Sequence, residues 1–331
     1  MHPGRGEDAA QAAVTQDRME TVMRNPSLSG RSPAETITQA IIERLEAGTR
    51  PWIRPWTGGG AARPLRACGT PYRGINTIWL WMAAEAAGFS SPTWLTYRKA
   101  QLLGGHVRKG ERGTIAIFYK AYSKEVVDTE TGHAQDEARR VLQSYIVFNA
   151  CQVDGLPDRF FPAPRLAPEP TQRDRQLDAF FACIPARVRH LGDEAFYDPT
   201  ADRITMPCPS AFRDSDHFRA TFAHELSHWT GHQSRLARSL SGRFGSEAYA
   251  MEELIAELAA AMLGAELGLP VAHLDHHASY LASWLRVLKS DNRAILTAAA
   301  KAEEASDLLL RLGGRIQPED AEAEEAVPMA A

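Results

Sequence analysis

The pentapeptide His224-Glu225-Leu226-Ser227-His228 constrains this chain more than any other stretch of it. Two imidazoles four residues apart can reach one ion when the backbone between them is helical, because both then rise from the same face. The flanking residues agree with a helix. Asp216 can cap its start, Phe218, Phe222, Leu226 and Trp229 repeat at the spacing of a buried face, and Gly231 can end it. Such a pair of histidines suits zinc, and Glu225, beside the first, is placed to take a proton from the water that zinc acidifies. A third protein ligand must come from elsewhere. The stretch 249–257 offers Glu252, Glu253 and Glu257 on the next long helix. Glu253 heads a stripe of small residues (Ala256, Ala260, Gly264) that lets two helices approach, which favours it as the ligand. Glu257, one turn on, can orient a ligating histidine, while Glu252 points about 100° away and reads as a solvated charge. His277 and Tyr280 open a later helix. They can serve as oxyanion donors or as ordinary capping and packing residues.

A second feature is electrostatic. The chain carries a net charge of −4, yet between Arg50 and Lys124 twelve Lys and Arg face only Glu85 and Glu111, a local +10 against −14 elsewhere. So compact a basic block points to a polyanion. Aromatic residues interleave with it: Trp52, Trp56, Trp79, Trp81, Trp94, Tyr97 and Tyr119. Flat rings stack on unpaired bases while Lys and Arg follow phosphates, and no groove-reading helix for duplex DNA is evident. Single-stranded nucleic acid is the expected partner, although some of these tryptophans, Trp79 or Trp81 among them, must be core.

The remaining organisation is coarser. Residues 1–31 lack an apolar period and read as a disordered tail. Ser32 and Glu35 form a capping box, followed by a helix with Ile37, Ile41, Ile42 and Leu45 on one face up to Gly48. An aromatic helix is expected at 76–87, strands at 114–119 and 141–148, and a long charged loop at 123–140. These make an α/β domain over 32–156. Five prolines between 154 and 174 suggest a linker at 157–175. A mostly helical domain then spans 176–314, with a hairpin at 196–206 and helices near 216–231, 247–267, 276–289 and 292–312. An acidic tail, 315–331, follows. The fold class is therefore α+β. Four scattered cysteines, no secretory signal and no membrane-length apolar run suit a reducing cytoplasm.

The stretch from His224 to His232, with Arg235 and 249–257, resembles the zincin-like domain of ArdC-type plasmid antirestriction proteins, which in turn resemble the C-terminal part of some conjugative-plasmid primases. The first half is similar too, in Pro51-Trp52, Pro55-Trp56, 72–76, 94–97, 104–110 and 147–149. The resemblance covers about residues 33–312. It implies an N-terminal single-stranded-DNA-binding domain joined to a metallopeptidase-like domain, and protection of incoming mobile-element DNA from restriction. It places His224, Glu225, His228 and Glu253 on the metal and catalytic pattern. Arg73, Asn76, Trp94, Lys99, Arg108 and Lys109 fall on the basic motifs; Lys120, a member of the basic block, completes the nucleic-acid candidates. Three functions stay open: a strand-coating antirestriction protein whose zinc is structural, a zinc peptidase tethered to DNA that clips a protein such as a restriction enzyme, or a primase-associated accessory DNA-binding protein of conjugation.

Overall fold

The computed structural model describes residues 30–52, 63–127, 134–161, 170–240, 246–269 and 278–316. Trp56, His277 and nearly all of both expected tails lie outside them. Helices and strands are mixed along the chain, in the order α1 (Pro33–Glu46), β1 (Leu65–Arg66), α2 (Ile75–Ala87), β2 (Thr93–Leu95), α3 (Tyr97–Leu102), β3 (His106–Val107), β4 (Thr114–Val127), β5 (Ala134–Asn149) and β6 (Val153–Asp154). There follow α4 (Pro170–Ala182), β7 (Arg187–His190), β8 (Phe196–Asp198), β9 (Arg203–Met206), α5 (Ser215–Thr230), α6 (Glu247–Leu267), α7 (Ala278–Ser290) and α8 (Ala294–Leu312). No helix among the described residues is long and apolar enough to cross a membrane.

The described residues form two compact units that are not consecutive in sequence. The first gathers Leu65–Thr70 and Ala83–Phe161 with the start of α1; the second gathers Thr38–Pro64, Pro71–Met82 and the chain from Pro162 onward.

In the first unit a sheet runs in the order β1-β2-β5-β4, with β1 and β2 parallel and the other pairs antiparallel. Leu95, Ala100, Val153, Leu156 and Phe160 form its small core. β4 and β5 make one long hairpin in register from Thr114↔Val147 to Val127↔Ala134. The charged stretch read as a loop at 123–140 is thus strand on both sides of 128–133. Backbone ladder bonds carry a strand through residues whose sequence shows no alternation. α3 escaped the sequence reading because it has a single buried residue, Ala100. It starts where Thr96 Oγ1 accepts the Lys99 N–H at 3.2 Å.

In the second unit α6 is the central element. Ser246 caps it, accepting the Tyr249 N–H at 3.2 Å, and Gly268 ends it at φ +67°, a left-handed position that suits glycine. Between these ends it is buried on nearly every side, against α5, α7 and α8. α5 is capped by Asp214, whose side chain accepts the His217 N–H at 2.8 Å. The expected cap, Asp216, is instead paired with Arg173 at 2.8 Å. The proline-rich stretch ends earlier than its composition suggests, because α4 begins at Pro170. Only the C-terminal end of α4 is apolar, which hid it. Leu177, Phe180 and Phe181 join Phe222, Leu226 and Trp229 in the core, and Arg219 reaches Asp174 and Asp178 from α5. A three-stranded sheet, β7-β9-β8, leaves β8 at an edge.

Candidate metal centre

α5 and α6 lay their polar residues against each other at one point. His224 Nε2 and His228 Nε2 stand 3.2 Å apart, with ring planes at 83°. Glu253 closes the triangle, its oxygens 3.6 Å from His224 Nε2 and 3.5 Å from His228 Nε2. Zinc–nitrogen bonds of about 2.05 Å in a tetrahedron put neighbouring donors about 3.3 Å apart. The closest approaches, 3.2–3.6 Å through the two Glu253 oxygens, are of that order, and one donor atom from each residue lies within 4.8 Å of the others. Of the three candidate carboxylates on α6, Glu252, Glu253 and Glu257, Glu253 is the one that stands beside both Nε2 atoms.

The other two serve the far side of the rings. Glu252 Oε1 lies 3.2 Å from His228 Nδ1, and Arg238 grips the same carboxylate through Nε at 3.0 Å and Nη2 at 2.8 Å. Glu252 is 7% exposed, which corrects its reading as a solvated charge. That reading assumed a solvent face, and α6 has none at this level. Glu257 Oε1 is 3.8 Å from His224 Nδ1, too long for a hydrogen bond, and its Oε2 accepts the Trp52 indole N–H at 3.1 Å. Arg50 is 3.6 Å from the same oxygen. Four buried carboxylates, Glu225 included, therefore meet two guanidinium groups. The double negative charge left over is what a divalent cation balances with both imidazoles neutral.

The electrostatics follow. Burial disfavours a charged His224, yet Glu253, Glu225 and Glu257 outweigh it and push its pKa up to about 9. Burial likewise opposes ionised Glu253, but His224 and His228 hold it down at about 2. Burial pushes Glu225 up, although the Tyr197 N–H at the β8 edge donates to it. Tyr280 connects to the centre through Tyr249. Its hydroxyl is 3.0 Å from that of Tyr249, which itself hydrogen-bonds Glu253. Tyr249 went unassigned in the sequence reading. Its signal was there, since it precedes Glu253 by one helical turn.

The nucleic-acid candidates divide. Trp52 and Trp94 are wholly buried, and Asn76, Trp79 and Trp81 are buried too, so none offers a face to a base. Trp52 stands edge-on to Trp284 at 5.7 Å in the second unit. Arg73, also in that unit, bonds Asp307 and sits 3.8 Å from Glu303. Arg108 is held by Glu111 at 2.7 Å, the Cys151 carbonyl at 2.6 Å and Asp154 at 3.3 Å. Tyr97, Lys99, Lys109, Tyr119 and Lys120 are exposed in the first unit, with Tyr97 53% and Tyr119 57% accessible. Phe148, which the sequence reading did not single out as a contact, stands edge-on to Tyr97 at 6.2 Å.

Comparison with known proteins places both units. Residues 31–148 match the N-terminal domain of anti-restriction factor ArdC, and residues 175–301 match the zincin-like metallopeptidase family. Protein y4eC of Sinorhizobium fredii, itself uncharacterized, is 42% identical over 279 residues, covering 82% of this chain and 90% of its own. DNA primase TraC of Escherichia coli is 40% identical over 295 residues, 83% of this chain but 27% of the primase, so this chain spans about a quarter of that relative. The crystal structure of metal-free antirestriction ArdC protein from the R388 plasmid superposes with a TM-score of 0.73 at 42% identity, covering 87% of this chain and 100% of that one. Its Mn(II)-bound form gives 0.70 at 41% identity with the same coverage. Two domains in the same order, and two relatives above 40% identity over nearly their whole length, make this chain a member of the ArdC antirestriction family.

Proposed function

We propose that this protein protects incoming mobile-element DNA from restriction by binding it as a single strand through the first unit, and that its second unit holds zinc at His224, His228 and Glu253. The observation that carries the DNA half is what remains once inward-facing residues are set aside. The first unit still exposes Tyr97 and Tyr119 together with Lys99, Lys109 and Lys120. Aromatic faces beside lysines suit unpaired bases and their phosphates. The metal half rests on the donor triangle and its charge balance, and the Mn(II)-bound relative supports it.

A bound divalent cation supplies Lewis-acid polarisation. The chain's own residues supply the rest. Glu225 holds a carboxylate beside the donors, aimed by the Tyr197 N–H, where it can accept a proton. Tyr249 steadies Glu253. Glu225 favours a second reading, a DNA-tethered peptidase acting on a protein such as a restriction enzyme, because a structural metal has no use for a base.

One challenge experiment separates the two. DNA is transferred into a restricting host that carries the wild type, Glu225→Gln, or Lys99→Glu with Lys120→Glu. We expect Glu225→Gln to protect and the double lysine variant to fail. Loss of protection in Glu225→Gln, with zinc content and strand affinity intact, would transfer the function to the peptidase.

A further inference from the structure

We infer that Arg238 is a positioning residue of the metal centre, acting through Glu252 to fix the orientation and tautomer of His228. The inference rests on the cation reading above and deepens it.

Arg238 lies in the loop after α5, and its side chain is buried. The loop is wound to bring it inward. Leu236 N–H donates to the Thr230 carbonyl at 3.0 Å, Ala237 N–H to the His232 carbonyl at 3.0 Å and Arg238 N–H to the Gly231 carbonyl at 2.9 Å. Ala237 takes φ +49°, a left-handed conformation that alanine adopts only at a cost, so the loop stores strain to make this turn. Gly231 leaves room for the result, since a Cβ there would meet Arg238 Nη2 at 2.8 Å.

Every nitrogen of the guanidinium is then engaged. Nη1 donates to Thr230 Oγ1 at 2.8 Å, Nη2 to the Ser227 carbonyl at 2.7 Å and to Glu252 Oε1 at 2.8 Å, and Nε to Glu252 Oε2 at 3.0 Å. The two-pronged grip fixes the plane of the Glu252 carboxylate. Glu252 Oε1 in turn faces His228 Nδ1 at 3.2 Å. A carboxylate there accepts a proton held at Nδ1, which leaves the Nε2 lone pair facing His224 and Glu253. Arg238 also bonds the backbone of α5 itself, at Ser227, next to His228. It ties carboxylate and ligand helix into one frame.

The test reads metal affinity rather than activity. Zinc dissociation constants are measured by chelator competition for wild type, Arg238→Met, Arg238→Lys, Glu252→Gln and the double Arg238→Met with Glu252→Gln, alongside melting of each metal-free protein. Outer partners of ligating histidines typically contribute about 10–100-fold in affinity. We expect losses in that range for Arg238→Met and Glu252→Gln, a smaller loss for Arg238→Lys, and a double variant no weaker than the worse single one. Losses that multiply, or unchanged affinity in every variant, would overturn the inference. Lower melting with unchanged affinity would make Arg238 merely structural. If Arg238→Met does not fold, Arg238→Lys and Glu252→Gln decide on the same criteria. Failure of the cation reading looks different: there His228→Ala binds zinc as well as wild type.

Discussion

Replacing Trp52 by phenylalanine keeps an aromatic ring against Trp284 but removes the N–H that Glu257 accepts at 3.1 Å. A buried acceptor that loses its donor costs about 1–3 kcal/mol. Trp52→Phe is therefore expected to lower stability by that amount in denaturant titrations and to leave strand affinity unchanged. A variant that melts like wild type but binds oligonucleotides weakly would return Trp52 to the DNA surface. Tyr97→Ala should behave in the opposite way, losing roughly 1–3 kcal/mol of strand binding by fluorescence anisotropy at unchanged stability. What separates these two residues is burial, and burial is what one sequence states least clearly. Both rings sit among arginines and lysines in the chain. The meeting of His224 and His228 was legible because a spacing of four on a helix is itself the geometry, whereas Glu253 was singled out by the small residues that follow it on α6. Arg238 was not, because its bond to Glu252 crosses a loop that no periodicity describes.

At the scale of elements, α5 and α6 press two histidines and four carboxylates into one buried seam, and this gives the metal-free protein a pH profile. His224 is raised from 6.5 to about 9 by the carboxylates that outweigh its burial. The folded state thus holds that proton more tightly than the unfolded chain does. The stabilisation is fully present below pH 6.5 and is lost as pH rises to 9. Glu225 and Glu257, raised by burial, act in the same direction from about their ordinary 4.5 upward. A cation needs the imidazoles neutral, so its contribution grows over the window in which the proton's fades. Melting in chelator should fall between pH 6.5 and 9 while the gap to the zinc-loaded protein widens. A flat metal-free profile would contradict this account of the seam. α5 and α6 themselves were legible to within a residue or two because apolar spacing and their ends mark them, whereas α3 and α4 were not. The sidedness of α6 was not, since an all-round buried helix violates the assumption that charged residues face water.

At the scale of the whole molecule, the zincin-like unit is not confined to the second half of the chain. Arg63 pairs with Glu303 at 2.5 Å in the buried interior, Gly74 N–H donates to the same carboxylate at 2.9 Å, and Arg73 bonds Asp307. Thr38 donates to the Asn292 carbonyl at 2.7 Å, and Arg50 and Trp52 reach Glu257. Arg50, Arg63 and Arg73 come from the stretch whose positive charge points to DNA, so part of that charge is committed to the unit's own carboxylates. A reading that advances along the chain cannot see this sharing, because partners more than 200 residues apart leave no local pattern. It does make a sharp expectation for a fragment of residues 163–331. Glu257, Glu303 and Asp307 would keep their places but lose their cations. Arg63–Glu303 is buried on both sides, and removing one partner of such a pair costs about 3–5 kcal/mol, a large share of the roughly 5–15 kcal/mol by which a domain is stable; the half-exposed Arg73 and the longer Arg50 contact add less. The fragment should therefore melt without a cooperative transition and hold less than one zinc per chain, whereas the full chain melts cooperatively with about one. A fragment that unfolds in one sharp step with its zinc intact would show that the residues before 163 contribute nothing essential to the metal-bearing unit.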